Sequence, residues 1–425
     1  MNTTLSNSLF IERVLKHQDA IFKWLSSRER VNDLPLYSSV DIRDAGFKIS
    51  VVDTNLFPAG FNNLCEHGLA DAAKHIRSAI ARRVPSGKKV LIIAEEHTRN
   101  TWYLENVRIL EAIIRSAGFE ARIATFLSIQ PDFCRSARFI ELETATGASV
   151  RIHCFKRILE ELKSGKDRYD LIIMNNDLSA GIPEPLKNST VPIYPSIQAG
   201  WHARHKSHHF CHMNKLMEEF GKIIGVDPWL FSALYDVADN VDINNEADRK
   251  NMQDMASDMI GKIAVKYKEH GISEKPFIFL KSDSGTYGMG VLPVEDAADI
   301  ANLNSKDRKK LHVGKSAQVI DRYLLQEGVP TIYRSDLEVC EVCIYQIENN
   351  MIGGFYRSHP SKSERENLNS QGAGFKTMCP HQKKYGDCGV HHDVNIFDVY
   401  RILARIAAVA AQREILQLEK KEVKC

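Results

Sequence analysis

The feature that most constrains this fold is the alternation, in the first half of the chain, of apolar runs of strand length with stretches of helical periodicity. The apolar runs include KKVLIIAEE (88–96), YDLIIMNND (169–177) and VPIYPS (191–196), and the helix-like stretch NTWYLENVRILEAIIRSAG follows the first of them. Strands separated by helices favour a parallel sheet with helices on its faces. Residues 1–225 are therefore predicted to form an α/β domain with a Rossmann-like parallel sheet, which binds ligands at the carboxyl ends of its strands.

The second half has a different pattern, in which two helical stretches precede several short strand-like runs. The helices are predicted at about 211–225 and 246–270, and a last helix is predicted at about 394–420. Between them lie the runs PFIFLKSD, VLPV, LEVCEVCIYQIE and NMIGGFYRSH. Short strands with few helices between them favour antiparallel pairing. Residues 226–425 are therefore predicted to form an α+β domain.

The net charge and the hydropathy of the chain argue against some classes of function. The 425 residues include 56 basic and 54 acidic side chains, and the net charge of +2 gives no electrostatic indication of a nucleic-acid partner. No run approaches the roughly 18 apolar residues of a membrane helix, and the first residues, MNTTLSNSLF, lack the pattern of a secretory signal. We therefore expect a cytoplasmic protein that acts on small molecules, without nucleic acid or membrane.

A lysine and a glycine-rich loop follow one of the strand-like runs of the second half. FIFLK ends at Lys281, and SDSGTYGMG continues from it. An ammonium group binds phosphate as a point charge, and glycines let backbone N–H groups approach phosphate oxygens closely. A plain hairpin turn is the alternative. The predicted phosphate-binding residues are Lys281, Ser284, Gly285, Thr286, Tyr287, Gly288 and Gly290.

Two further segments place polar residues at strand ends. QEGVPT (326–331) offers Gln326 and Glu327 to the adenine and ribose of a nucleotide, although a solvated strand end has the same composition. Carboxylates and amides follow between residues 341 and 369, and magnesium prefers such oxygen ligands when it shares them with phosphates. A bare polar loop is the alternative there. The predicted magnesium ligands are Glu341, Glu366, Asn367 and Asn369, and Arg357 joins Lys281 as a predicted catalytic residue.

The order of these features carries more information than any one of them. A lysine strand, a glycine loop, an acidic strand end, an acidic strand and an E-N-x-N turn follow one another. That is the layout of an ATP-grasp domain, in which two α+β lobes hold ATP between them. We therefore predict an ATP-grasp-like two-lobed domain in the second half, with ATP and Mg²⁺ as cofactors.

Polar segments of the first half are candidates for binding the remaining substrate. They comprise the segment 41–64, interpreted as a loop dense in amides, EEHTRN (95–100), NNDLSAG (175–181) and the basic run within 195–210. Their amides can bind a small zwitterion, although self-capping turns use the same residues. The basic run is expected to bind carboxylate or phosphate. The predicted substrate-binding residues are Asp53, Asn55, Asn62, Asn63, Arg99, Asn100, Asn175, Asn176, Arg204, Lys206, Ser207 and His209.

Two segments contain cysteine or histidine in numbers that raise the question of zinc. CPHQKKYGDCGVHH (379–392) has suitable ligand types, but its spacing matches no standard structural zinc pattern, and a polar surface loop is the alternative. Cys340 and Cys343 lie in a strand-like run, where residues three apart face opposite sides of a sheet. We therefore expect no shared zinc or redox site for that pair.

Taken in order, these segments resemble the proteobacterial glutamate–cysteine ligase family first noted in iron-oxidising acidophiles. The resemblance spans nearly the whole chain. It rests on VDTNLFPAGFNNL, EEHTRN with YLENV, IIMNNDLSAGIPE, QAGWHARHKSHHF, KSDSGTYGMGV, QEGVPT, GGFYR and ENLN. The resemblance implies that ATP phosphorylates the γ-carboxylate of glutamate and that the amine of cysteine then displaces phosphate. Ser282 and the EEH at 95–97 depart mildly from the family pattern.

Two alternatives remain open at this point. One is another ATP-grasp carboxylate–amine ligase, glutathione-synthetase-like or glutamate-adding, with a different acceptor. The other is a nucleic-acid or zinc-binding protein built on the basic run and the segment 379–392. The amine acceptor distinguishes the ligases, and retained metal or salt-sensitive RNA binding would favour the last class. A homo-oligomer is compatible with each of them.

Overall fold

Three β-sheets and the helices packed on them make up a mixed α/β fold, and this computed structural model describes residues 7–96, 99–126, 138–285, 290–312, 319–378 and 395–420. The described α-helices, labelled α1 to α11 in chain order, are Asn7–Lys16, Gln18–Arg28, Glu66–Arg83, Thr101–Ser116, Phe155–Lys163, Glu184–Lys187, Lys206–Ile224, Glu246–Glu269, Ala298–Ala301, Ser305–His312 and Ile396–Lys420. The described strands, β1 to β16, are Tyr37–Asp44, Ile49–Asn55, Lys89–Ala94, Glu120–Thr125, Phe139–Glu143, Ser149–Cys154, Leu171–Asn175, Ile193–Tyr194, Tyr235–Ala238, Ile278–Ser282, Val291–Val294, Tyr323–Glu327, Arg334–Ser335, Glu338–Ile347, Asn350–His359 and Gly374–Met378. Short 3₁₀ helices lie at Phe61–Asn63, Ile197–Ala199 and Pro228–Phe231.

The sheet of the first half has the strand order β5-β6-β4-β3-β7-β8. Its strands pair in parallel except for β5, which is antiparallel to β6. The strand β3 is buried on both faces, because Val90 and Ile92 pack into one core while Leu91 and Ile93 pack into another. A continuous apolar run such as KVLIIA is typical of a parallel strand covered on both faces. The Rossmann-like assignment of this region remains a prediction.

A second sheet, the central sheet, brings strands from both halves of the chain together. Its order is β16-β15-β14-β1-β2, with β13 paired to β14, and all its pairs are antiparallel. The interpretation of residues 41–64 as a loop is therefore wrong for 41–44 and 49–55, which are strand. Val40 and Ile42 are buried in the core, whereas the alternate residues Asp41 and Arg43 line a polar pocket. This period-two alternation is that of a strand with one apolar and one polar face.

The third sheet, β11-β10-β12-β9, is antiparallel, as predicted for the second half. The last helix, predicted at about 394–420, is α11 at Ile396–Lys420. It is apolar on most of its circumference, because Ile402 and Ile406 pack into the core of the central sheet while Ala411 and Ile415 pack into the core beside β7. No helix within the described ranges is both long enough and apolar enough to cross a membrane.

The hydrogen-bonded strands of the central sheet come from both sides of the predicted domain division at residue 225. Strands β1 and β2 (37–55) share this sheet with β14 of the second half. Helix α7 packs against α11 as well. The division into 1–225 and 226–425 remains a prediction, and it would have to separate strands that are hydrogen-bonded in one sheet.

The two cysteines of β14 lie on opposite faces, as predicted. Cys340 is buried in the core that contains α11, and Cys343 is buried in the core that contains α3 and α4. Because the sheet separates their sulfur atoms, the pair cannot bind one metal ion together.

Candidate active site

Oppositely charged side chains line a pocket between the central sheet and the sheet formed by β9 to β12. This charged pocket has a cavity volume of about 80 Å³. The segments around residues 41–53, 206, 279–291, 341, 357 and 367–369 all contribute to it, so residues predicted in separate parts of the sequence meet there. Its lining consists of Asp41, Arg43, Val52, Asp53, Lys206, Phe279, Lys281, Ser282, Ser284, Gly285, Val291, Glu341, Arg357, Asn367 and Asn369.

Arg357 lies at the centre of a buried ion-pair network in the charged pocket. Its guanidinium donates to Glu341 Oε1 at 2.6 Å and to the two carboxylate oxygens of Asp41 at 3.1 and 3.3 Å. Arg43 pairs with the other carboxylate oxygen of Glu341. The register explains this arrangement, because Glu341 lies directly opposite Arg357 on neighbouring strands. Burial opposes ionisation of Glu341, but Arg43 and Arg357 hold the pKa of its carboxyl below the ordinary value.

Two lysines approach Asp53 from different elements. Lys206 Nζ, at the start of α7, donates to both carboxylate oxygens of Asp53 at 2.8 Å, whereas Lys281 Nζ donates to the carbonyl oxygen of Val52 at 3.1 Å. Burial lowers the pKa of Lys281 to about 8, despite the opposing attraction of Asp53. Burial also opposes ionisation of Asp53, but Lys206 and Lys281 hold its pKa below the ordinary value. Lys281 is therefore a cation that an incoming anion can stabilise.

The buried carboxylate of Asp283 fixes the strand end from which the glycine loop begins. It accepts from Ser207 N and Ser207 Oγ, each at 2.7 Å, and from Arg322 Nε at 2.7 Å. The backbone N–H of Lys206 also donates to the carbonyl oxygen of Asp283. Asp283 thereby joins the amino end of α7 to β10, which places Lys206 beside Lys281. Sequence analysis did not single it out, because its partners lie some 40 and 76 residues away in the chain.

A second, larger pocket adjoins the charged pocket and shares Arg357 and Asn369 with it. This amide pocket has a cavity volume of about 540 Å³. Four of the predicted substrate-binding asparagines line it. Its lining consists of Ser39, Asn55, Phe57, Ala59, Asn62, Asn63, Asn100, Trp102, Tyr103, Asp177, Cys343, Tyr345, Phe355, Arg357, Asn369, Ala373, Gly374 and Phe375.

The local structure of the amide pocket shows which amides remain available. Asn55 Oδ1 accepts from Phe57 N at 2.9 Å, and Asn100 Oδ1 caps α4 by accepting from Tyr103 N at 3.1 Å. Asn62 and Asn63 bond to each other at 3.2 Å on a short 3₁₀ helix. The amide NH₂ groups of Asn55 and Asn100 can therefore still donate to a ligand.

Aromatic rings and one carboxylate complete the amide pocket, and sequence analysis missed them. Trp102 is 60% exposed and Phe375 is 48% exposed, although both line the pocket. The buried carboxylate of Asp177 accepts from Ser179 N at 3.0 Å and from Ser179 Oγ at 2.5 Å. Asp177 lies within the predicted segment NNDLSAG, just after β7 ends at Asn175. Its position at a strand end is the sequence feature that could have identified it.

Several predicted substrate-binding residues form internal contacts outside both pockets. Arg204, which is buried, donates to Glu414 Oε1 at 2.9 Å and to the carbonyl oxygen of Thr54 at 2.7 Å. His209 lies 3.3 Å from the other carboxylate oxygen of Glu414, and burial lowers the pKa of its imidazole. Ser207 bonds to Asp283, as described above.

The two asparagines at the end of β7 are also held internally. Asn175 donates to the carbonyl oxygen of Pro58 at 2.9 Å and accepts from Tyr103 and Asn106. Asn176 accepts from Leu178 N at 2.9 Å. These bonds tie the segment 55–63 to the parallel sheet, so they support the wall of the amide pocket from behind. Arg99, by contrast, is exposed and lies outside both linings.

The predicted nucleotide residues at the end of β12 are buried. Glu327 accepts from Lys48 Nζ at 2.7 Å, from Trp229 Nε1 at 3.2 Å and from Leu234 N at 2.9 Å. Gln326 lies opposite Phe279, a residue of the charged pocket, and its buried Nε2 has no hydrogen-bond partner within the described part of the chain. Gln326 is thus better placed than Glu327 to contact a ligand.

The predicted magnesium ligands are only partly brought together. Glu341, Asn367 and Asn369 line the charged pocket, whereas Glu366 bonds to Lys362 Nζ at 2.7 Å and to Ser363 N at 2.9 Å. Among the described residues, the one group of three acidic or histidine side chains close enough to share a cation is elsewhere. It consists of Asp227, Glu269 and His270, and the ammonium of Lys266 already bonds both of its carboxylates.

The predicted glycine loop lies partly within the described residues. Ser284 and Gly285 line the charged pocket, and Gly285 has a φ of +97°, which favours glycine. Gly290 also has a positive φ, of +64°. Thr286, Tyr287 and Gly288 lie outside the described residues, and so does the Cys/His-rich segment 379–392.

Comparisons with known proteins agree with one another on the family. The family model described as "Glutamate-cysteine ligase" matches residues 12–415. The crystal structure of a protein assigned as a gamma-glutamylcysteine synthetase from Methylobacillus flagellatus KT is 33% identical in sequence, with a TM-score of 0.85. The match covers 98% of each chain, and 24 solved chains match in all. A search of the curated proteins found no match.

Proposed function

The chain belongs to the glutamate–cysteine ligase family, and from that premise we propose how its two adjoining pockets divide the reaction. The enzyme is an ATP-dependent ligase that joins the γ-carboxylate of glutamate to the amine of cysteine. This is the first step of glutathione biosynthesis. The reaction needs a site for phosphate groups next to a site for two amino acids.

The charged pocket is the proposed phosphate site. Lys281 and Arg357 place positive charge beside the transferring phosphoryl group, and Ser284 and Gly285, at the start of the glycine loop, line the same pocket. Gln326 and Phe279 extend the same wall towards the adenine ring. In this proposal the sheet of β9 to β12 and the central sheet act as the two lobes of an ATP-grasp-like domain.

The donor set of the charged pocket fits magnesium. Two carboxylates, Asp41 and Glu341, and two amides, Asn367 and Asn369, line one pocket, and these are hard oxygen ligands. Glu341, Asn367 and Asn369 are the proposed ligands, with Asp41 in place of Glu366, which does not line this pocket. When bound, the ion neutralises charge on the phosphate oxygens.

The amide pocket is the proposed amino-acid site. Amide NH₂ groups of Asn55 and Asn100 suit an α-carboxylate, and the carboxylate of Asp177 suits an α-ammonium group. Because the pocket is larger than one amino acid requires, it is large enough for both glutamate and cysteine. Trp102 and Phe375 line the same pocket and offer it apolar surface.

The position of Arg357, which lines both pockets, carries the proposal. The γ-carboxylate of glutamate attacks the terminal phosphorus of ATP, the bond to ADP breaks, and an acyl phosphate forms. The amine of cysteine then attacks the acyl carbon and phosphate leaves. Arg357 therefore lies next to the reacting groups of both steps. Its guanidinium can bind the phosphoryl oxygens and stabilise the negative charge that develops on them. We assign no general base.

Other features of the proposal follow from the substrates. The partners are the small molecules glutamate, cysteine and ATP, and we propose a cytoplasmic enzyme that uses neither nucleic acid nor membrane. A homo-oligomer is compatible with the proposal.

The deciding experiment measures ADP release from the purified protein with ATP, magnesium and glutamate, with each amino acid added singly. We expect release with cysteine, together with γ-glutamylcysteine identified by mass spectrometry. ADP release with a different amine alone would change the proposed acceptor, but it would leave the proposed phosphate site unaffected. No release with any acceptor would refute the assignment of the two pockets.

A further inference from the structure

Two of the proposed magnesium ligands, Asn367 and Asn369, belong to a segment that is neither helix nor strand. This asparagine segment, residues 364–369, lies between the end of β15 at His359 and the start of β16 at Gly374. The backbone carbonyl groups of such a segment have no partners from a strand ladder, so their positions depend on the groups that donate to them. The side chains around the asparagine segment must therefore fix its two amides.

Arg43, on β1, donates to two backbone carbonyl groups of the asparagine segment. Its Nη1 bonds to the carbonyl oxygen of Glu364 at 2.9 Å, and its Nη2 bonds to the carbonyl oxygen of Glu366 at 2.8 Å. The remaining nitrogen, Nε, pairs with the carboxylate of Glu341 on β14. All three nitrogens of one buried guanidinium are thus in use. Arg43 therefore connects the asparagine segment to the strand that carries the proposed ligand Glu341.

The rest of the asparagine segment is held by contacts of its own. Leu368 is fully buried, and Asn367 Oδ1 accepts from Asn369 N at 3.0 Å. The backbone N–H of Thr331 donates to the carbonyl oxygen of Glu364 at 3.3 Å. The bonds from Arg43 therefore fix the beginning of a short, internally bonded turn that carries both asparagines.

Charge alone does not require an arginine at position 43. The carboxylate of Glu341 already accepts from Arg357 at 2.6 Å, and a lysine at position 43 could supply a second cation. The single nitrogen of a lysine cannot take the places of three guanidinium nitrogens, which present their donors in a rigid, planar fork. The geometry that only arginine provides is the bridge from Glu341 to two carbonyl groups of the asparagine segment.

We propose that Arg43 is a positioning residue, which holds Asn367 and Asn369 in the pocket of Glu341 so that a divalent cation meets its oxygen ligands already in place. This inference rests on the magnesium site proposed above. Arg43 itself does not contact the ion. Side chains that orient metal ligands in this way typically change metal affinity by about 10–100-fold when they are replaced.

The test measures manganese binding in the presence of ADP by calorimetry, since Mn²⁺ prefers the same oxygen ligands as magnesium. The wild type is compared with Arg43→Lys and with a matched control, Arg334→Lys. Arg334 donates to the carboxylate of Glu364 at 3.0 Å and is 49% exposed, so it contacts the same segment without holding its backbone. We expect at least tenfold weaker manganese binding in Arg43→Lys and unchanged binding in the control.

A double-mutant cycle tests whether Arg43 acts through the two asparagines. In an N367A/N369A background, Arg43→Lys should weaken manganese binding no further, because both changes remove the same ligands from the ion. Fully additive losses would overturn the proposal. Urea denaturation checks folding, and if Arg43→Lys does not fold, Arg43→Gln replaces it in the cycle and should show the same coupling.

Two further measurements distinguish positioning from a general structural role. Amide hydrogen exchange in residues 364–370 should be faster in Arg43→Lys than in the wild type before any ligand is added. Excess magnesium should restore the kcat for ADP release in Arg43→Lys, because concentration compensates for weaker binding but does not repair a damaged fold.

The outcomes separate this inference from the proposed function. A wild type that binds manganese with ADP but releases no ADP with any acceptor would remove the proposed function and leave the role of Arg43 standing. Equal manganese affinity in the wild type and Arg43→Lys would overturn the role of Arg43, whatever the turnover. A wild type that binds no manganese with ADP would overturn both the magnesium site and this inference.

Discussion

Replacement of Lys281 by methionine should stabilise the fold while it abolishes most of the activity. The pKa of about 8, against an ordinary value near 10.5, means that the folded protein disfavours the charged amine by about 3 kcal/mol at pH 7. Because the folded pKa lies below the unfolded one, this penalty is complete below pH 8 and disappears as the pH rises towards 10.5. The variant also loses the hydrogen bond to Val52, worth about 1 kcal/mol. We therefore expect Lys281→Met to raise the free energy of unfolding by about 2 kcal/mol at pH 7.

Lys48 provides a matched control. It too is buried, and burial lowers its pKa to about 8, but it pairs with the buried carboxylate of Glu327 at 2.7 Å. Lys48→Met would relieve a similar burial penalty, but it would also leave that carboxylate without its cation, which costs about 3–5 kcal/mol. Lys281→Met has no such cost, because Lys206 still pairs with Asp53, so Lys48→Met should give the lower free energy of unfolding of these two chemically identical substitutions.

Urea denaturation at pH 7 and pH 9.5 measures the stability effect, and cysteine-dependent ADP release measures activity. At pH 9.5 the burial penalty of charged Lys281 should be roughly half its value at pH 7. The rise in the free energy of unfolding caused by Lys281→Met should become smaller by the same amount. Activity should fall at least about a hundredfold, as expected when a group that stabilises transferring charge is removed. Near-normal turnover would exclude Lys281 from the phosphate role. A free energy of unfolding as low as that of Lys48→Met would refute the argument from burial.

Three further outcomes are expected. The kcat/KM for ATP should decline above about pH 8, where Lys281 loses its proton, and a pH profile of Lys281→Arg should lack that decline because guanidinium stays charged. Glu414→Gln should lower the free energy of unfolding in urea by about 3–5 kcal/mol, because Arg204 would remain buried without its carboxylate, while kcat per folded molecule stays unchanged. Asn63→Ala should raise KM for an amino acid at least tenfold and leave KM for ATP unaltered. Steady-state kinetics with each substrate varied in turn would test this, and a rise in KM for ATP alone would contradict it.

The sequence predicted the elements of the second half well, because each has a local signal. Alternating or continuous apolar runs marked β10, β14 and β15, and helical periodicity marked α11, since side-chain burial repeats with the period of the backbone. The strands β1 and β2 were missed. Asp41 and Asp53 look like loop residues when the pairing is unknown. The strands β1 and β2 pair with each other, but the next strand of the sheet, β14, lies some 300 residues further along the chain.

By itself, the sequence determined the family and the chemical types that the site needs: a lysine before a glycine loop, an arginine after a strand, and amides in short polar segments. The tertiary structure decided which of them meet. Arg204 and His209 have the same composition signal as Lys206, yet only Lys206 faces the charged pocket, because Arg204, which precedes α7, and His209 both lie against Glu414 of α11. A polar segment therefore names candidates, and only the long-range packing of α11 and β2 against it selects among them.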